Sequence, residues 1–346
     1  MGVDRLIFLI KIKSRVIRAF LKLYSISEMA LFYLKRTHGT RMGSVLAKSI
    51  VERCAHDMIY HPPQASYQNT SVHFIKSVRG DKLALRCISP GGSAMSLHRR
   101  YTDSRRVILY SHGNAIDIGG CHEICEVMSA MLDAHVIAYD YPNYGASSKT
   151  SMCESALNSS IEAVYARCME IAIPQEKLIL MGQSLGSVPT LHLASRVYAK
   201  YSAVVLISPL ASAFRAGFDE TYVPSFVSRR LDGLLFNNLK AIQDIHAPVA
   251  IVHGFADDVI DISSAELLHS KIPRPFRHAP LYISAGHNDI YDEGNLVDVT
   301  AYLQGFIRDA SEKQVPEKHA PEKHAPEREQ AVSSDAPQDP RQPLLS

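Results

Sequence analysis

Eight short runs rich in aliphatic and β-branched residues, at 72–78, 83–88, 107–111, 135–140, 177–182, 203–208, 249–253 and 281–284, organise the middle of the chain. From the third run onward, most are separated by stretches long enough for a helix. Such strands return parallel, through right-handed crossovers, and bury both faces of their sheet under helices. The first two runs lie too close for a crossover and are expected as an antiparallel hairpin. The pattern predicts an α/β fold, with a mostly parallel eight-stranded sheet and helices on both faces, in a domain spanning 71–309. About 40 residues lie between the sixth and seventh runs, room for only a short lid insertion. Residues 36–70 are expected to be a linker with a short helix over 43–60, which His61-Pro62-Pro63 would end.

Composition sets the limits around this domain. With 46% hydrophobic residues in 346, the chain has ordinary globular material, and its six cysteines are too sparse for a disulfide-stapled scaffold. A net charge of +2 argues against a nucleic-acid partner, but residues 1–50 carry ten Lys/Arg against Asp4 and Glu28. The apolar run from Leu6 to Tyr24 is interrupted by Lys11, Lys13, Arg15, Arg18 and Lys22, whereas a signal peptide places its charges ahead of the apolar run. At about 2.5–3.5 kcal/mol per buried cation, a spanning helix is disfavoured as well. On a helical projection Lys11, Arg15, Arg18 and Lys22 form one stripe, opposite Leu9, Val16, Phe20 and Leu23. Lys13 falls on the apolar face and must snorkel. Residues 1–35 are therefore expected to lie in the plane of an anionic membrane surface, putting the protein peripherally on a cytoplasmic membrane face. Docking of the same helix on the protein's own core is the alternative. Gly2 invites myristoylation, but Leu6 stands where Ser or Thr is required. Residues 310–346, with the repeated PEKHA unit, cannot bury a core and are expected to be a disordered tail.

The chemistry sits where runs end. After 177–182 comes Gly182-Gln183-Ser184-Leu185-Gly186 and then a helix-compatible stretch at 187–198. The G-x-S-x-G pattern between strand and helix holds a serine hydroxyl on a sharp turn. A serine needs a base, and the base needs an orienting carboxylate. Two later strand ends supply them in the order Ser, acid, His: Asp257, Asp258 and Asp261 follow the seventh strand, and His287 follows the eighth. Asp257 is favoured because it lies just beyond its strand, with Asp258 next. The oxyanion donors are expected to be the backbone N–H groups of Leu185, at a helix N-terminus, and of Asn114, in the loop His112-Gly113-Asn114-Ala115 after the third strand. His112 is read as bracing that loop, and Cys121 and Cys125 as packing residues rather than metal ligands. This chemistry requires no cofactor and no metal.

Ser-His-Gly-Asn-Ala (111–115), Tyr-Asp-Tyr-x-x-Tyr-Gly-x-Ser (139–147), Gly-Gln-Ser-Leu-Gly-Ser-Val-Pro-Thr (182–190), Ser-Pro-Leu (208–210), Val-Ile-Asp (259–261) and Gly-His-Asn-Asp-Ile (286–290) together resemble the abhydrolase-seventeen subfamily of α/β-hydrolase-fold serine hydrolases. Members of that subfamily remove palmitate from cysteines of membrane-attached proteins. The resemblance implies Ser184 as nucleophile, Asp257 as orienting acid, His287 as base, and S-acylated proteins as substrates. Three departures stand out. No cysteine precedes Cys54 where the subfamily carries an acylated cluster, Pro142-Asn143 replaces a small pair, and Phe255 replaces a threonine. Other enzymes sharing the elbow are a lysophospholipase or monoacylglycerol esterase and a prolyl-oligopeptidase-like peptidase. A catalytically silent binding module on the same fold is the alternative of a different class.

Overall fold

All eight runs form strands in the computed structural model, within one or two residues of the expected bounds. The structure describes residues 59–68, 72–92, 95–217 and 235–312, together with 52, 53, 56, 232 and 233. In order these are β1 His73–Lys76, β2 Lys82–Ile88, β3 Arg106–Ser111, β4 Ala134–Tyr139, β5 Leu178–Gln183, β6 Ala203–Ile207, β7 Val249–Gly254 and β8 Leu281–Ile283. They make one sheet of order β1-β2-β4-β3-β5-β6-β7-β8. The β1 and β2 strands form the expected antiparallel hairpin, and β2 also pairs antiparallel with β4. Every pair from β4 to β8 is parallel. The hairpin turns at Gly80, whose φ of 86° an L-residue rarely adopts, while Gly80 N–H bonds the Ser77 carbonyl at 2.9 Å.

Alternation along the strands divides the core in two. Leu109, Leu178 and Leu180 face one side, where α2 (Glu154–Glu170) packs Leu157, Ile161 and Val164 and α3 (Ser187–Ala194) packs Leu191 and Leu193. Ile108, Tyr110, Ile179 and Met181 face the other, against Cys125 and Met128 of α1 (His122–Met131) and Val299, Leu303 and Phe306 of α7 (Glu293–Glu312). Central strands buried on both faces read as continuous apolar runs, which is why the sequence showed runs rather than alternation. Cys121 caps the start of α1, and both Cys121 and Cys125 are buried among these apolar side chains.

Some boundaries move for physical reasons. The helix after the elbow stops at Ala194, not at 198. Ser195 turns back onto the His192 carbonyl at 2.9 Å and leaves Val197 and Tyr198 exposed. At the other end, α7 continues past 309, because Ala310 is buried and Ser311 both bonds the Ile307 carbonyl at 2.7 Å and accepts from Arg106 at 2.5 Å.

The largest difference concerns 36–70. Residues 59–67 are no free linker but a strap across the ends of β3 and β4. The Pro63 carbonyl accepts from Gly145 at 3.3 Å, Ser66 N–H and Oγ both donate to Asp117, at 2.7 and 2.5 Å, and Tyr67 donates to Asp140. Glu52, Arg53, His56 and Ile59 are helical, and His61-Pro62-Pro63 does end that helix. In the lid segment, α4 (Ala213–Gly217) is pinned by a buried Arg215–Asp232 ion pair at 2.8 Å, and the short α5 (Asn238–Ala241) follows before β7. The segment 218–231, the basic stripe of Lys11, Arg15, Arg18 and Lys22, and the tail from 313 lie outside the described residues. Among the described residues no helix is long and apolar enough to cross a membrane.

Candidate active site

Because β3 through β8 run parallel, their carboxyl ends share one edge, and the chain reverses its progress through the sheet between β3 and β5. Ligands in open α/β sheets bind at such a switch point. Ser184 follows β5 directly, with φ at 51°, a left-handed conformation that costs a non-glycine residue of order 1–3 kcal/mol. The strain is enforced by close packing on both sides. A Cβ at Gly186 would run into the carbonyl of Ser111, and one at Gly182 would sit 2.5 Å from the Gly186 carbonyl oxygen. Both glycines of the motif are needed so that β5 can turn into α3 beside β3.

Three residues from three strand ends meet there. Ser184 Oγ lies 3.0 Å from His287 Nε2, and His287 Nδ1 lies 2.8 Å from Asp257 Oδ2. Ser184 and His287 are buried at 8% and 9% exposure, so the site is shielded yet reachable. Asp257 is fixed by its own loop, its Oδ1 accepting from Val259 N–H at 2.9 Å and Ile260 N–H at 2.8 Å. Burial pushes its carboxyl up, but the bonds from His287 and from the Ile260 and Val259 amides outweigh this and hold it below the ordinary carboxylate value. The competing acids separate cleanly. Asp258 is exposed, while Asp261 caps the next helix, α6 (Ile262–Lys271), by accepting from Ser263 N–H at 2.9 Å.

His253, buried at the end of β7, presents Nε2 to the Ile260 carbonyl at 2.9 Å and to Asp257 Oδ2 at 3.3 Å. Its Nδ1 is buried without a hydrogen-bond partner. That arrangement fits the neutral ring with its proton on Nε2, and burial does push the imidazole below its usual value. The sequence reading passed over His253. Its only signal is a histidine one residue from the end of the strand whose following loop carries the acid.

The loop after β3 closes the other side. A Cβ at Gly113 would lie 3.6 Å from Ser184 Cβ, so Gly113 abuts the serine. The Ala115 N–H is taken by the Asn114 Oδ1 at 3.0 Å, whereas the backbone N–H groups of Asn114 and Leu185 make none of the loop hydrogen bonds. These are the two amides expected as oxyanion donors, Leu185 next in the chain to Ser184 and Asn114 next to Gly113. His112 braces the loop as anticipated. It is fully buried, with Nδ1 at 2.8 Å from the Gly113 carbonyl and Nε2 at 3.4 Å from Asp140 Oδ1. Burial works against its protonation, but the Asp140 carboxylate and the Gly113 carbonyl outweigh it and raise the imidazole above its usual value.

Three tyrosines from β4 and its following loop then hold three residues of β3 and its loop. Tyr139 shares a hydrogen bond with Ser111 at 2.7 Å, Tyr141 donates to the His112 carbonyl at 2.7 Å, and Tyr144 donates to Asn114 Oδ1 at 2.6 Å. Their rings meet edge to face, Tyr139 on Tyr141 at 5.5 Å and Tyr141 on Tyr144 at 5.4 Å. The 139–147 motif carries the family resemblance, and its tyrosines also brace the oxyanion loop. Three buried phenols, each needing a partner, were the available signal.

This edge of loops over a mostly parallel sheet defines an α/β-hydrolase-fold protein, and residues 106–236 match the family model described as the alpha/beta hydrolase fold. In sequence the chain resembles the abhydrolase-seventeen proteins, as the motifs implied. It is 36% identical over 189 residues to alpha/beta hydrolase domain-containing protein 17C of Xenopus tropicalis, covering 54% of this chain and 57% of that protein. It is also 36% identical over 190 residues to human alpha/beta hydrolase domain-containing protein 17B, covering 54% and 62%. The chain thus spans somewhat less than two thirds of the length of these curated relatives. A solved esterase from Pyrococcus furiosus superposes with a TM-score of 0.55 at 13% identity, over 72% of this chain and 98% of that one, and shares the fold.

Proposed function

We propose that this chain is a membrane-associated serine hydrolase that removes palmitate from S-acylated cysteines through an acyl-enzyme on Ser184. The observation that carries the hydrolase reading is the continuous line from Ser184 Oγ through His287 to Asp257, with bonds of 3.0 and 2.8 Å. The fatty-acyl thioester reading rests on the resemblance to the abhydrolase-seventeen subfamily, and the membrane reading on the basic stripe of Lys11, Arg15, Arg18 and Lys22.

The geometry performs that reaction as follows. Asp257 accepts a hydrogen bond from His287 Nδ1–H, which fixes the tautomer with Nε2 as the basic nitrogen facing Ser184. Ser184 Oγ attacks the thioester carbonyl carbon as its proton passes to His287 Nε2. The oxygen turned anionic is met by the N–H groups of Asn114 and Leu185. Collapse expels the cysteine sulfur, which takes the proton back from His287, and the palmitoyl group remains on Ser184 as an ester. Water then gives a proton to His287 as it attacks the ester carbonyl, and His287 returns that proton to Ser184 Oγ as the C–O bond breaks and the fatty acid leaves. A thiolate leaves without the strong protonation that an amide nitrogen needs, which favours thioesters over peptides.

Hydrolysis of a panel of palmitoyl thioesters, oxygen esters and unacylated peptides tests this, with Ser184→Ala as the control. Palmitoyl thioester should be cleaved fastest, and more so when the acylated peptide is presented on anionic vesicles. Preferential cleavage of unacylated peptides or of monoacylglycerol would replace the depalmitoylase reading with another hydrolase.

A further inference from the structure

The strap and the oxyanion loop meet at one side chain. Asn114 Nδ2 donates to the Ile59 carbonyl at 2.7 Å, and Asn114 Oδ1 accepts from His61 N–H at 3.1 Å. The amide thus pairs with residues 59 and 61 as a neighbouring strand would, across 53 and 55 residues of sequence. The same Oδ1 also receives Ala115 N–H at 3.0 Å and Tyr144 OH at 2.6 Å. All the hydrogen-bonding capacity of this side chain except one amide proton is therefore spent on fixing the peptide it belongs to. Ala115, next in the chain, stands at φ 56°, a conformation that a free loop would relax.

We propose that the Asn114 side chain is a positioning residue through which the strap at 59–61 holds the 113–114 peptide in the orientation that aims its N–H at the oxyanion. This rests on the hydrolase reading above and adds to it that the segment preceding the sheet is a working part of the site. A backbone donor is effective only when it is already aimed where charge develops, because turning it during the reaction costs what the interaction gains. Of the loop's other ties, Tyr141 holds the His112 carbonyl ahead of this peptide, and His112 Nδ1 holds the peptide's own carbonyl end at Gly113. The strap holds the residue that carries the amide. The position of 59–61 is thereby coupled to transition-state stabilisation and not to ground-state binding.

Two variants test this from opposite sides. Asn114→Ala removes the side chain and keeps the backbone N–H, and His61→Pro removes the strap's N–H, at the cost of fixing φ at 61 and restricting Tyr60, while it leaves the oxyanion loop's own sequence intact. Wild-type turnover of a soluble thioester that Ser184→Ala abolishes establishes the hydrolase reading independently. Against that turnover, Asn114→Ala should lower kcat by about 10- to 100-fold, and His61→Pro by a smaller factor, with KM within about twofold. Affinity for a trifluoromethyl ketone, which forms the tetrahedral oxyanion on Ser184, should fall in step with kcat/KM in both. Amide hydrogen exchange of 113–115 should accelerate in both, a readout that needs no turnover. Far-ultraviolet circular dichroism confirms that each variant is folded. The proposal is overturned if the folded variants keep kcat within twofold of wild type, if the loss appears in KM alone, or if exchange at 113–115 is unchanged.

Discussion

His253 Nε2 stands 3.3 Å from Asp257 Oδ2, the same carboxylate oxygen that holds His287 Nδ1 at 2.8 Å. One acid oxygen thus faces two imidazoles, and only the second points on to the serine. Since His253 also ties the Ile260 carbonyl at 2.9 Å, it closes the loop that carries the acid back onto the strand that launches it. Replacing it by Phe should leave that carbonyl unpaired and cost about 1–3 kcal/mol of stability, read by urea denaturation. Loosening Asp257 should lower kcat about tenfold, read on a soluble ester.

The triad acts as a unit, so single removals should be far from additive. Ser184→Ala and His287→Ala are each expected to lower kcat by several orders of magnitude, and Asp257→Ala by somewhat less. Asp258→Ala, at an exposed position, should turn over like wild type. Kinetics on a soluble ester with fluorophosphonate labelling decide it. Loss in Asp258→Ala with retention in Asp257→Ala would move the acid by one residue.

Gly186 sits against the Ser111 carbonyl with no room for a methyl group. Gly186→Ala must push the elbow away from β3, and overpacking of this kind costs about 1–3 kcal/mol or more. The melting temperature should fall, and labelling of Ser184 should slow even in the folded fraction.

Two buried groups predict opposite pH dependences. The Asp257 carboxyl lies below its unfolded value of about 4, so its contribution is present above that value and is lost as pH falls through the lowered one. The stability gap between wild type and Asp257→Asn should therefore narrow from pH 6 toward pH 3. The His112 imidazole lies above its unfolded value of about 6.5, so its contribution is present below that value and is lost as pH rises through the raised one. The gap to His112→Gln should narrow as pH is raised from 6 to 9. Urea titrations across both ranges measure each sign.

Deleting residues 1–35 should release the protein from anionic vesicles, because the basic residues of the stripe contribute about 1 kcal/mol each at such a surface. Sedimentation with vesicles reads this, and raised salt should weaken binding of the full chain. Binding that resists both salt and deletion would point to a different anchor.

The strands were legible because central parallel strands are buried on both faces, and burial writes itself as runs such as 178–182 and 203–207. The triad was legible because each member follows a strand end, a local feature, and because the parallel sheet brings all such ends to one edge. The sequence determined by itself that Ser184, an acid after β7 and His287 would converge. It left three acids after β7, since Asp257, Asp258 and Asp261 occupy one short loop and differ only in where that loop turns. Tertiary structure decided among them, burying Asp257 beneath His253 and His287, exposing Asp258 and spending Asp261 on a helix cap. Only tertiary structure turned 59–67 from a linker into a strap, because its partners Asn114, Asp117, Asp140 and Gly145 lie more than 50 residues away and bond mostly to backbone groups. Periodicity and propensity record what a residue does within its own element. A hydrogen bond between distant loops is recorded in neither segment, and it exists only once the sheet has fixed the distance between them.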